Sequence, residues 1–95
     1  MYDLLLKPEA DRIFERLAGK NSKQLSIIDK KLSGICSNPH HSYKYLRKPL
    51  QGFNRIHIDK HFVLIFKIDH SRKSVDVYYY DHHDNVYQWR PKVEG

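Results

Sequence analysis

The sequence predicts an α+β fold: an N-terminal strand and a helical hairpin packed on a small, curved antiparallel sheet. Three observations carry this expectation. Apolar residues recur at helical spacing in two stretches before Asn38-Pro39. From Phe53 onward they alternate or run together, as they do in strands. Polar breaks rich in Asn, Asp, Gly and Pro divide the segments. The 95 residues suffice for one core, so a single domain over 1–95 is expected.

Tyr2 to Leu6 reads as a short strand. Pro8 suits the first turn of a helix, and Glu9 and Asp11 complement its positive start. Ala10, Ile13, Phe14, Leu17 and Ala18 then mark one buried face, and Gly19 stops the helix. Asn21 or Ser22 can cap a second helix, whose apolar residues are Leu25, Ile28, Leu32, Ile35 and Cys36. Asn38-Pro39 ends it. Phe53 to Ile58 alternates, with Ile56 and Ile58 on one face and Arg55, His57 and Asp59 on the other. Phe62 to Ile68 is almost wholly apolar, which suits a middle strand covered on both faces. Asp69 to Lys73 is a polar turn, and Ser74 to Tyr80 alternates as the last strand of a meander. Strict alternation puts Tyr79 on one face and Tyr78 and Tyr80 on the other, so at least one of the three belongs to the core. Residues 89–95 read as a loosely held tail.

The chain carries 17 Lys+Arg against 11 Asp+Glu, a formal net charge of +6 that favours phosphate-rich or acidic partners. Cys36 is the only cysteine, which excludes an internal disulfide and a cysteine-based zinc centre. Charges at Asp3, Lys7, Glu9, Asp11 and Arg12 interrupt any signal-like apolar core, and no apolar run is long enough to span a bilayer. A cytoplasmic protein without membrane contact is the expectation.

Chemistry concentrates where the last strand runs out. His82-His83-Asp84-Asn85-Val86-Tyr87 places imidazoles, a carboxylate and a phenol together, and His57 and His61 flank the turn between two earlier strands. Imidazole both takes and gives protons near neutrality. In a meander, Arg55 and His57 point the same way, His83 has the parity of Val77, Tyr79 and Asp81, and Tyr87 can return beside it. Cleavage of RNA without metal needs a base for the 2′-hydroxyl, an acid for the departing 5′-oxygen, and cations against the phosphorane. Two imidazoles and a guanidinium supply all three. The alternative is a solvated polar turn at His82-His83-Asp84, with His57 a half-buried filler. A metal site is not expected, because adjacent histidines on extended backbone point to opposite faces and no His-x-His or Glu-x-x-His spacing occurs. No cofactor is expected either. His40, His41 and His70 read as surface residues. Lys44-Tyr45-Leu46-Arg47-Lys48-Pro49-Leu50 interleaves aromatic and basic residues, which suits phosphates with base stacking. It equally suits a connector anchored by Leu46 and Leu50. Lys44, Arg47, Lys48, Lys60 and His82 are the candidate RNA contacts.

With those residues identified, the chain resembles toxins of the RelE/ParE superfamily from type II toxin–antitoxin systems. The resemblance rests on Leu46-Arg47-Lys48-Pro49-Leu50-Gln51-Gly52, Arg55-Ile56-His57, Phe62 to Ile68, and His82 to Tyr87. In its use of histidine the chain is most similar to the YafQ-type branch. The resemblance implies a ribosome-dependent endoribonuclease acting on messenger RNA and silenced in a heterocomplex by a cognate, RelB-like antitoxin. It implies that His57 and His83 are acid–base groups, that Tyr87 orders the substrate, and that Arg55 fills a basic strand position; His61 completes the candidate set. Two positions depart from the pattern: Val63 stands where RelE-type members carry arginine, and His61 where the YafQ-type pattern is acidic. Arg55, Lys60 or Arg47 would then supply the missing cation. Two other functions stay open: a ParE-type inhibitor of DNA gyrase, and a basic RNA-binding module without catalysis.

Overall fold

Four consecutive side chains, Val63, Leu64, Ile65 and Phe66, are completely buried, and the architecture follows from covering both faces of the strand that carries them. The computed structural model describes residues 1–92. In chain order the elements are β1 (Asp3–Leu6), α1 (Pro8–Lys20), α2 (Ser22–Ser37), β2 (Lys44–Tyr45), β3 (Asn54–Ile58), β4 (Phe62–Asp69), β5 (Ser74–His82) and α3 (His83–Val86). The sheet order is β1-β5-β4-β3-β2, with β4 in the centre. The expected class is thus observed, and β3, β4 and β5 form the antiparallel meander. One pairing departs from an all-antiparallel sheet: β1 lies parallel to β5, because the helical hairpin carries the chain back before the meander begins.

Alternation sorts the strand residues into two cores. Ile58, Leu64, Phe66, Val75, Val77 and Tyr80 face the hairpin and pack with Ala10, Phe14, Ile28, Leu32, Ile35 and Cys36. Val63 and Ile65 face the other way, into a cluster with Leu46, Leu50, Phe53, Val86 and Trp89. Each fully buried aliphatic side chain contributes about 1.5–3 kcal/mol, so the second cluster is a substantial part of the fold. It also decides the role of the connector between α2 and β3: Leu46 and Leu50 anchor it, while Arg47 and Lys48 stay exposed. Asn21 caps α2, its Oδ1 accepting from the Gln24 amide at 3.1 Å. Gln24 in turn donates from Nε2 to the Tyr80 hydroxyl at 2.8 Å, tying hairpin to sheet.

The structure corrects two expectations. Strict alternation fails in β5, where the register steps from Phe66 opposite Val77 to Ile65 opposite Tyr79 and leaves Tyr78 as a bulge. The extra residue turns Tyr78 and Tyr79 to the same face, against Phe53 and Trp89, and leaves Tyr80 in the hairpin-side core. Val77 and Tyr79 therefore lie on opposite faces despite their shared parity. The expected loose tail, in turn, fails at its first residue. Trp89 is buried against Phe53, Tyr78 and Tyr79, and its Nε1 donates to Glu9 Oε1 at 3.0 Å. Residues 93–95 of that segment lie outside the described residues. Among the described residues no helix is long and apolar enough to cross a membrane. Trp89→Ala should lower unfolding stability by roughly 3 kcal/mol in urea titrations, the ordinary cost of emptying a buried tryptophan site.

Candidate functional site

β3 presents Asn54, Ile56 and Ile58 to the hairpin side, which leaves Arg55 and His57 on the face carrying the connector. There a cleft of about 400 Å³ opens between connector and sheet. Arg47, Lys48 and Arg55 give it positive charge, Tyr45 and Tyr87 give it aromatic walls, and Leu46, Pro49 and Leu50 form its remaining lining. His57 adjoins the cleft, its Nδ1 3.5 Å from Arg55 Nη1. Lys44 pairs with Arg55 in register across β2 and β3 and adds charge at the same edge.

His57 lies opposite Val63, which lies opposite Asp81, so these three form one transverse row. Both carboxylate oxygens of Asp81 are engaged within β5. Its Oδ2 accepts from the Tyr79 hydroxyl at 2.8 Å, and its Oδ1 accepts from the His82 amide at 2.7 Å. Burial, followed by the Asp81 hydrogen bond and charge, pushes the Tyr79 phenol up to about 12. Tyr79 also stacks on Trp89 at 5.4 Å, so the carboxylate is braced by an aromatic pair. Val63 is fully buried in the middle of the row. The cations near this face come instead from Arg55 and the connector.

A second group stands at the end of the sheet. The tight turn between β3 and β4 starts at Asp59, which adopts φ 58° and accepts from the Lys60 amide at 2.8 Å. Aspartate tolerates this left-handed conformation better than most residues. The turn delivers Lys60 and His61 beside the end of β5. The His83 amide donates to the His61 carbonyl at 2.8 Å, and His83 Nδ1 lies 3.2 Å from the same oxygen. His82 caps α3, its Nδ1 accepting from the Asp84 amide at 3.2 Å. The chain changes from strand to helix between His82 and His83, so their rings lie 4.6 Å apart. The premise that adjacent histidines diverge does not hold here, because it assumed extended backbone through both. His61, His82 and His83 bring one nitrogen each to within 4.8 Å of one another.

The residues singled out from the sequence therefore fall into two neighbouring groups. Arg47, Lys48, Arg55, His57 and Tyr87 surround or adjoin the cleft, with Lys44 at its edge. Lys60, His61, His82 and His83 gather at the strand ends. Tyr45, 69 % exposed, lines the cleft, in line with the aromatic and basic residues interleaved from Lys44 to Leu50. Asp81 was missed, and no signal in the sequence marks it, since its partners arise from the bulged strand.

Comparison with known proteins identifies this arrangement. A curated chain named "Putative toxin RelE4" from Methanocaldococcus jannaschii is 47 % identical over 88 residues, covering 93 % of each chain. An uncharacterized protein of Methanosarcina mazei is 52 % identical over 87 residues, 92 % of this chain and all of that one. The chain belongs to the RelE/ParE superfamily of toxins. No protein-family model matches it. Among solved structures, the YoeB/ParE toxin from Agrobacterium tumefaciens shares the fold at TM-score 0.75 and 12 % identity, covering 85 % of this chain and 98 % of that one. The toxin–antitoxin complex RelBE2 from Mycobacterium tuberculosis matches at TM-score 0.71 and 20 % identity, with 86 % and 98 % covered. A mutant of the E. coli toxin RelE in the free state matches at TM-score 0.71 and 20 % identity, with 92 % and 90 % covered.

The Tyr79 shift has a testable consequence for stability. Its folded value of about 12 exceeds the ordinary 10.0, so the folded state holds the phenolic proton longer than the unfolded chain. The resulting stabilisation is complete below pH 10 and is lost as pH rises through about 12. Tyr79→Phe should flatten that alkaline decline in denaturant melts recorded across the window.

Proposed function

We propose that the chain is the toxin of a type II toxin–antitoxin pair, and that it cleaves messenger RNA on the ribosome, in the cytoplasm, without metal. The observation that carries this reading is the cleft, where three cations and two aromatic rings meet beside a histidine in contact with Arg55. A phosphodiester backbone suits the cations, and unpaired bases suit the rings. In this reading Arg47, Lys48, Lys44, Lys60 and His82 hold the strand, while Tyr87 and Tyr45 stack on it.

The chemistry is transesterification. One imidazole removes the 2′-hydroxyl proton, the 2′-oxygen attacks phosphorus, and the bond to the 5′-oxygen breaks as a second imidazole protonates it. The products are a 2′,3′-cyclic phosphate and a 5′-hydroxyl. His57 and His83 are the proposed pair, with His61 beside them. His57 sits on β3 and His83 on the first residue of α3, directly past the end of β5; β4 alone lies between β3 and β5, about 10 Å at ordinary interstrand spacing, and in this reading one nucleotide bridges the two imidazoles. Arg55 offsets the phosphorane charge, the role that buried Val63 cannot fill.

A RelB-like antitoxin is the proposed partner, in keeping with the complex formed by the mycobacterial relative. An apolar groove between β1 and the hairpin, about 440 Å³ and walled by Leu4, Leu6, Phe14, Leu25 and Leu32, suits a hydrophobic segment of such a partner.

Incubated with ribosomes and messenger RNA in EDTA, the protein should yield fragments ending in cyclic or 3′-phosphate. His57→Ala and His83→Ala should each slow cleavage at least ~10-fold, given what a general acid or base ordinarily contributes. Wild-type rates in both variants would remove the assigned roles. Intact RNA alongside trapped gyrase–DNA complexes would favour the ParE-type activity instead. Arg47→Ala with Lys48→Ala should weaken RNA binding and flatten its dependence on salt.

A further inference from the structure

We propose that His61, His82 and His83 form a binding site for one zinc-like divalent cation, a late first-row transition metal with a preference for imidazole. Each ligand comes from a different local setting: the β3–β4 turn, the last residue of β5 and the first residue of α3. One nitrogen from each already lies within 4.8 Å of the other two. Tetrahedral zinc with bonds of about 2.0–2.1 Å sets its nitrogens about 3.3 Å apart, so the three nitrogens must draw closer around an ion. None of the three is buried, so an ion has a path from solvent.

The surroundings favour the site. His83 Nδ1 lies 3.2 Å from the His61 carbonyl, where an N–H would be donated, and that tautomer keeps the lone pair on Nε2. The Asp84 carboxylate lies 3.4 Å from His82 Nδ1 and 3.1 Å from His83 Nε2. It brings negative charge beside the ion. A fourth position stays open to water or to Asp84. Neutral imidazoles of this number suit zinc, nickel, cobalt and copper rather than magnesium or calcium, which prefer all-oxygen shells. Another close histidine pair serves as contrast. His40 and His70 stack at 5.0 Å, but the Tyr2 hydroxyl holds His70 Nδ1 at 3.0 Å, and among the described residues no third ligand joins them.

Occupancy would bind the lone pairs of His61 and His83 and withhold them from proton transfer. That consequence rests on the ribonuclease reading; the site itself does not. The experiment therefore reads metal first, without RNA. Untagged protein stripped with EDTA is titrated with cobalt(II), whose visible absorption reports four-coordinate nitrogen ligation, and zinc is then added in competition. One equivalent should bind, and His61→Ala, His82→Asn and His83→Ala should each weaken binding at least ~10-fold, the scale known for disturbed metal sites. Asparagine at 82 retains the helix cap, so loss of binding there cannot be assigned to a melted α3. His40→Ala and His70→Ala should bind as the parent does. Absence of saturable binding in the parent, or binding that survives all three ligand substitutions, overturns the site. If zinc-saturated protein cleaves RNA as fast as stripped protein, the site stands and the catalytic roles of His61 and His83 fall.

Discussion

Burial of β4 on both faces is the constraint from which the rest follows. Leu64 and Phe66 require a cover on one side, and the hairpin supplies it. Val63 and Ile65 require another, and among the described residues no second pair of long helices provides it. The connector, α3 and Trp89 provide it instead, through Leu46, Leu50, Val86 and the indole. Because an irregular segment forms that layer, its polar residues are left at the rim, and the rim is where Arg47 and Lys48 meet Arg55. The cleft is thus a by-product of closing a hydrophobic core with a loop.

The two faces accordingly serve different chemistry. The hairpin side is apolar up to its edge, where Leu4 is 43 % exposed on an edge strand that still has unpaired backbone groups. The other side gathers cations and aromatic rings, with His57 beside them. A net charge of +6 spread evenly would attract any polyanion weakly, whereas cations clustered along one cleft can follow a single strand.

The sequence disclosed whatever depends on spacing. Both helices, the central apolar strand and the shared face of Arg55 and His57 follow from periods of 3.6 and 2. The bulge at Tyr78 was hidden, because a single inserted residue leaves composition unchanged and emerges only when a partner strand sets the register. The parallel pairing of β1 was hidden for a related reason, since a four-residue strand reads alike in either direction. The histidine group was half visible. Its members were evident, but their convergence depends on a backbone that turns helical between His82 and His83, and four residues are too few for helical periodicity to register.

Trp89 bears on which parts of the chain cover the two faces of the sheet. It follows the last of the strands and helices, yet its indole completes the layer over Phe53, Tyr78 and Tyr79 and reaches back to Glu9 near the start. The hairpin side of the sheet is covered by residues from the first half of the chain, whereas the opposite side is closed by a residue that follows every strand and helix in chain order.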